Sequence, residues 1–112
     1  MPPTPPSNPP SLLKTILEPL LADFQYWFER SRTLLESERL HILSTEQQSA
    51  LLERVMIAQR EVIAAQLLFQ ATNAQVGVAM AQVATWHRLV GECWQVSSCW
   101  RAARDTSARE FD

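Results

Sequence analysis

Apolar residues recur every three or four positions along most of this chain, and the breaks in that rhythm divide it into helices. Leu13, Leu17, Leu20, Phe24, Trp27, Ser31 and Leu34 step alternately by four and three, while Leu21, Phe28 and Leu35 widen the stripe on one flank. Ser11 stands just before the stripe, where its hydroxyl accepts from an orphan amide of a first turn. The pattern predicts a long amphipathic helix from Ser11 to about Ser37. Pro19 removes the bond from its own nitrogen to the Thr15 carbonyl, which predicts a kink, or a short helix followed by a longer one.

The rhythm fails across residues 36–44 and returns after Ser44-Thr45-Glu46-Gln47, which reads as a capping box. There the Ser44 side chain accepts from the amide three residues on, Gln47 reaches back, and Leu43 is placed to staple the first turn. A second helix therefore starts at about Thr45. Its stripe is Leu52, Val55, Gln59, Val62, Gln66 and Phe69, flanked by Leu51, Met56, Ala58, Ile63, Ala65 and Leu67. Two glutamines in an apolar seam fix its register where each amide finds a partner. Asn73 and Gly77 tolerate left-handed backbone and mark an end or bend. Thr85 offers a cap for a third helix, whose stripe is Trp86, Val90, Cys93, Ser97 and Trp100 with Trp94 beside Cys93.

The expectation is an all-α fold: an antiparallel helical bundle of two long helices plus a third C-terminal helix, joined by short connections. Residues 11–104 form the single helical domain. Residues 1–10 hold six of the seven prolines and read as a disordered leader, with PxxP matches at Pro2 to Pro5 and Pro3 to Pro6. Residues 105–112 read as a frayed polar tail.

The string DFQYWFER, residues 23–30, packs four aromatic side chains into five consecutive positions. Phe24, Trp27 and Phe28 share the apolar stripe and belong to the core. Tyr26 is rotated to the opposite face with Ala22, Glu29, Arg30 and Thr33, where it lies along the helix or meets a partner.

From Val62 to His87 no formally charged residue occurs over 26 positions. The amides of Gln66, Gln70, Asn73, Gln75 and Gln82 are spread along this stretch, and unpaired amides in hydrocarbon cost several kcal/mol each, which argues against a transmembrane segment. A neutral, alanine-rich stretch instead points to helix contact on more than one side. Part of that face is then covered by a second copy of the chain or by another protein.

Charge and chemistry narrow the function. Ten basic residues face twelve acidic ones, so no long-range field draws in DNA, RNA or an anionic membrane, and nucleic acid is not an expected partner. Nine of the ten are arginines, suited to planar pairing with carboxylates. Cys93 and Cys99 diverge around one helix, so they do not bridge there and read as small buried hydrophobes. The first residues carry neither a basic head nor an apolar run, so no signal peptide is expected and a reducing compartment is.

His41 and His87 lack metal-ligand partners at helical spacing, and two glycines fourteen residues apart make no phosphate loop. No catalytic residue, metal ligand or cofactor site is assigned. The one ligand hypothesis is an imidazole among tryptophans, His87 beside Trp86, holding a tetrapyrrole in a helical groove.

The strings LEPLLADFQYWFERSRTLLE, LLERVMIAQREVIAAQLLFQATNAQVGV and WHRLVGECWQV together resemble the cyanobacterial family known as domain of unknown function 2605, over residues 12–97. Thr85 stands where members often place a proline before the tryptophan-histidine pair. The resemblance implies a small soluble protein without assigned activity, cytoplasmic or peripheral to thylakoid membranes, in an accessory role near the photosynthetic machinery. No site residue carries over.

Together these readings predict a non-enzymatic protein-protein interaction module, an adaptor or assembly factor. Its candidate partner-binding residues are Tyr26, Gln66, Gln70, Asn73, Gln82, Trp86, His87 and Trp94. The alternative is a pigment or small-molecule carrier, tetrapyrrole included, using a groove between Trp27, Trp86, His87 and Trp94.

Overall fold

The computed structural model describes residues 9–72 and 78–110, leaving undescribed the side chains of residues 9–11, 13 and 107–110. Three helices follow in order, α1 (Pro9–Ser37), α2 (Thr45–Ala71) and α3 (Met80–Glu110). The PxxP leader, Asn73, Gln75 and Gly77 lie outside the described residues.

The start of α1 is earlier than Ser11 because Pro9 and Pro10 fit a first helical turn, where the missing N–H has no partner to lose. Pro19 sits inside a helix that runs unbroken to Ser37. The start of α2 is capped as its sequence demands: the Gln47 amide donates to Ser44 Oγ at 3.0 Å and the Ser44 amide to Gln47 Oε1 at 2.8 Å. Its end comes at Ala71, where the Thr72 amide donates to the Leu68 carbonyl at 3.0 Å.

Two boundaries of α3 differ from expectation. It begins at Met80, so Thr85 is an interior residue whose hydroxyl donates to the Ala81 carbonyl at 2.9 Å instead of capping. It also continues to Glu110, past the expected fraying point, through alanines and arginines that propagate helix well.

The α1–α2 hairpin is pinned by glutamines. Gln25 Nε2 donates to Gln66 Oε1 at 3.0 Å, and Gln59 bridges α1 by accepting from Arg32 Nη1 at 3.2 Å and donating to Glu29. As the α1 number rises the α2 number falls, which is the antiparallel register. Both seam glutamines thus find the partners that let them set it. A third, Gln48, is buried at the turn. Its Nε2 donates to the carbonyls of Leu35 at 3.0 Å and Glu38 at 2.6 Å, while its Oε1 accepts from the Leu40 amide at 3.0 Å and Arg39 Nη1 at 2.8 Å. Such a group closes the carbonyl end of α1 and the turn with one side chain.

Helix α3 is antiparallel to α2, tied by a bidentate Arg54–Glu92 pair at 2.6 and 3.0 Å and by Trp86 Nε1 donating to Glu61 Oε1 at 3.2 Å. It therefore runs parallel to α1. The core between the three helices holds Leu21, Phe24, Phe28, Leu35, Val55, Val62, Trp86, Leu89, Val90 and Cys93, with Leu40 plugging the turn. On α1 the line of deepest burial passes through Leu21, Phe28 and Leu35, the expected flank of the stripe, because α2 and α3 meet over that side. Leu43 packs on the same core ahead of the α2 cap.

Candidate interaction surfaces

Two chemically different surfaces lie on the outside of this bundle. The first gathers where α1 begins, α2 ends and α3 begins, an end located by the small cluster of Leu17 and Phe69 with Leu20 and Val78 packed against it. Around that cluster the side chains of Leu12, Ile16, Ile63, Leu67, Leu68 and Met80 face solvent, Leu67 at 61% and Met80 at 77% exposure. Ile63 and Leu67 were expected to flank the α2 seam. They are exposed because α1 and α3 cover the opposite face: Val62 is buried while its neighbour Ile63 is turned out, and Leu67 and Leu68 both stay exposed ahead of the buried Phe69. Apolar side chains gathered at one end of a bundle are the usual mark of a contact surface.

The second surface is a groove of about 520 Å³ between α1 and α3, closed beneath by Leu51 of α2. Trp27 stands edge-on to Trp94 with ring centroids 5.2 Å apart, and Tyr26 stands edge-on to Trp27 at 5.1 Å. Arg30 places its guanidinium 5.6 Å from the Tyr26 ring centre and 5.8 Å from that of Trp27, and donates to the Tyr26 hydroxyl at 2.9 Å. Further along, Trp100 lines the groove beside His41, with ring centroids 5.8 Å apart, and Arg101 and Arg104 stand on the α3 rim. Glu38 supplies the opposing charge.

Cys93 lies at the groove floor, buried, and this desolvation pushes its thiol above the ordinary value, with the neighbouring Ser31 hydroxyl working the other way. Cys99 is exposed, contrary to the expectation that both thiols are buried, because six residues turn it well away from Cys93.

The expected partner residues divide between these places. Tyr26 is exposed and Trp94 half-exposed, and both stand beside the groove region through Trp27. Gln70 is exposed and Gln82 half-buried on the charge-poor segment, while Gln66 is already engaged by Gln25. Asn73 lies outside the described residues.

Trp86 is the clear correction. Its side chain is fully buried, edge-on to Phe24 at 5.5 Å, and has no surface to offer a partner or a ligand. His87, one residue on, is exposed on another face of α3. The groove thus joins Trp27 and Trp94 but excludes Trp86 and His87, and Trp100 takes part instead. Sequence reasoning missed Arg30, Arg101 and Arg104; the available signal was the spacing of Arg30 three residues after Trp27 and of Arg104 four after Trp100, and Arg101 had none of this kind.

Among the described residues no group of three His, Cys, Asp or Glu side chains is placed to hold a metal ion, and no helix is long and apolar enough to cross a membrane. No match is found among curated proteins or solved structures. The model of a family described as Protein of unknown function (DUF2605) matches residues 7–102.

Proposed function

The chain belongs to this family, and on that premise we propose that it is a non-enzymatic helical interaction module, an adaptor or assembly factor for another protein. The observation that carries the reading is the apolar end formed by Ile16, Ile63, Leu67, Leu68 and Met80. Ile63, Leu67, Leu68 and Met80 lie within the charge-poor segment, where few charges oppose burial by a partner's apolar face, while Ile16 on α1 stands between the exposed Lys14 and Glu18. Covering the remaining exposed area of Leu67 and Leu68 contributes on the order of 1 kcal/mol each, enough for two such residues to anchor a contact. A role beside the photosynthetic machinery of a cyanobacterium is the setting that the sequence resemblance suggests.

The test compares the intact chain with Leu67→Glu/Leu68→Glu, tagged at the N-terminus, in affinity capture and in crosslinking. Both positions are exposed, so the variant keeps its helix content and melts within a few degrees of the parent. A defined protein or second copy retained by the parent and lost at least tenfold by the variant supports the reading. Equal retention by both, or a lone monomer in both experiments, overturns it.

A further inference from the structure

The groove between α1 and α3 has a chemistry that a protein-docking face at the other end of the bundle does not require. We propose that it is a binding site for a small amphipathic carboxylate, a flat aromatic body seated against Trp27, Trp94 and Trp100 with its anionic group held by Arg30, Arg101 and Arg104. Three observations carry this.

The first is size. About 520 Å³ falls within the range of small-molecule pockets and is bounded by two helices and a floor, which suits a compact ligand.

The second is the wall. Three of the chain's four tryptophans line or flank this concavity, and Trp94 remains 50% exposed although it already meets Trp27. The edge-on Trp27–Trp94 pair presents a ring face and an edge at right angles, the corner in which a planar molecule makes both stacked and edge contacts. Leu34, Leu35, Leu51 and Val96 make the rest of the wall apolar.

The third is charge. Three arginines against Glu38 leave the lining with a surplus of two positive charges. The ion pairs among the described residues are Arg32–Glu36 and Arg54–Glu92, so none of the three groove arginines is matched to a described carboxylate. They stand on both walls, Arg30 on α1 and Arg101 and Arg104 on α3. An anion entering between them is approached by planar forked donors from two sides, the arrangement that favours a carboxylate. Arg30 is already flattened over Tyr26 and Trp27, so less side-chain freedom is lost on binding. The lining holds two hydroxyls, Ser31, which already donates to the Trp27 carbonyl, and Ser97, and no imidazole, whereas its three rings and three guanidinium groups favour an aromatic acid.

The probe is pyrene-1-butyrate, titrated into the full chain while tryptophan emission is followed, with neutral pyrene-1-butanol and the flexible acid oleate as comparisons. Saturable one-to-one quenching at micromolar concentration is expected, at least tenfold weaker for the alcohol and weaker for oleate. Raising the salt from about 20 to about 500 mM should weaken the acid severalfold and leave the alcohol unchanged, because exposed charges are screened.

Arg101→Glu/Arg104→Glu should reduce acid affinity at least tenfold, and Trp94→Ala at least fivefold for acid and alcohol alike. These positions are exposed, so both variants should keep the parent helix content. Leu67→Glu/Leu68→Glu should bind the probe as the parent does, which separates this site from the docking end. Equal affinity for acid and alcohol, insensitivity to the arginine reversals, or tighter binding of a short acidic tryptophan peptide than of pyrene-1-butyrate would overturn the assignment.

Discussion

Gln48 offers the most direct test of how this bundle is held, because one buried side chain makes four hydrogen bonds that nothing else replaces. Only one orientation of its amide satisfies all four, with the nitrogen toward the carbonyls of Leu35 and Glu38 and the oxygen toward the Leu40 amide and Arg39. In Gln48→Leu the Leu40 amide, beneath a side chain with no solvent exposure, is left without its partner, a cost of about 1–3 kcal/mol. The carbonyl end of α1 loses its closure as well, which adds about 1 kcal/mol. Burial of the leucine side chain offsets about 1 kcal/mol of this, so the net loss is about 1–3 kcal/mol.

For a chain of this length such a loss lowers the melting temperature by about 4–12 °C. It is read by urea and thermal unfolding followed by circular dichroism at constant protein concentration. Gln48→Glu is the companion variant. At neutral pH its second oxygen faces two carbonyls and its charge is buried, so it should be at least as unstable as the leucine variant. Once protonated it regains one donor, so its folded carboxyl titrates above the unfolded value. Its deficit should then shrink below the ordinary carboxylate range and grow as pH rises. A leucine variant within about 0.5 kcal/mol of the parent, or a glutamate variant indifferent to pH, would refute the clamp.

Trp86→Ala should cost about 3–5 kcal/mol and Trp94→Ala less than about 1 kcal/mol in the same unfolding assay, since the first ring is fully buried and the second half-exposed. A thiol reagent at pH 8 should modify Cys99 quickly and Cys93 only on unfolding, and two equally fast thiols would contradict the burial of Cys93. Because the folded Cys93 thiol titrates above its ordinary 9.0, its contribution is complete below that value and lost as pH rises through the elevated one. The stability gap between the parent and Cys93→Ala should therefore narrow in strongly alkaline urea melts. The Arg54–Glu92 pair holds the Glu92 carboxyl below its ordinary 4.5, so its contribution is present above that value and fades as pH falls through the lowered one. With both side chains half-exposed, Glu92→Gln should cost less than about 1 kcal/mol at pH 7, measured by urea unfolding.

The helices were legible because their signals are local. The capping box at Ser44, the three-and-four recurrence through Phe24 and Phe28, and the seam glutamines each depend on neighbours a turn away, and the structure keeps them. What was not legible is the azimuth at which a third helix docks. In α3, Trp86 and Trp100 share one stripe and Trp94 stands beside it, and periodicity alone cannot say which of them is buried and which meets α1 at the surface. Phe24 and Glu61 settle the matter by taking Trp86 into the core, so the groove begins about two turns further along α3, at Cys93, and His87 is turned away. The Thr85 cap failed for a related reason: Ser and Thr hydroxyls also bond back to the carbonyl four residues earlier, and here Ala81 provides it inside a helix that has already begun.

The same docking explains why the surface separates into two kinds. Because α1 and α3 run parallel, the side of α3 that follows Trp86 faces the half of α1 beginning at Trp27, and rings and arginines from both helices meet there. Nearer the start of α1, Leu17 packs on Phe69 while its neighbour Ile16 stays 56% exposed. Eleven residues of helix, about 16 Å, separate Ile16 from Trp27. That distance lets a partner cover the apolar end without filling the groove, so occupancy of one can be varied while the other is watched. If probe binding at the arginines changed the retention of a partner at Leu67 and Leu68, the two sites would be coupled through the α1–α3 contact, and the reciprocal shift in probe affinity would have to be equal in size.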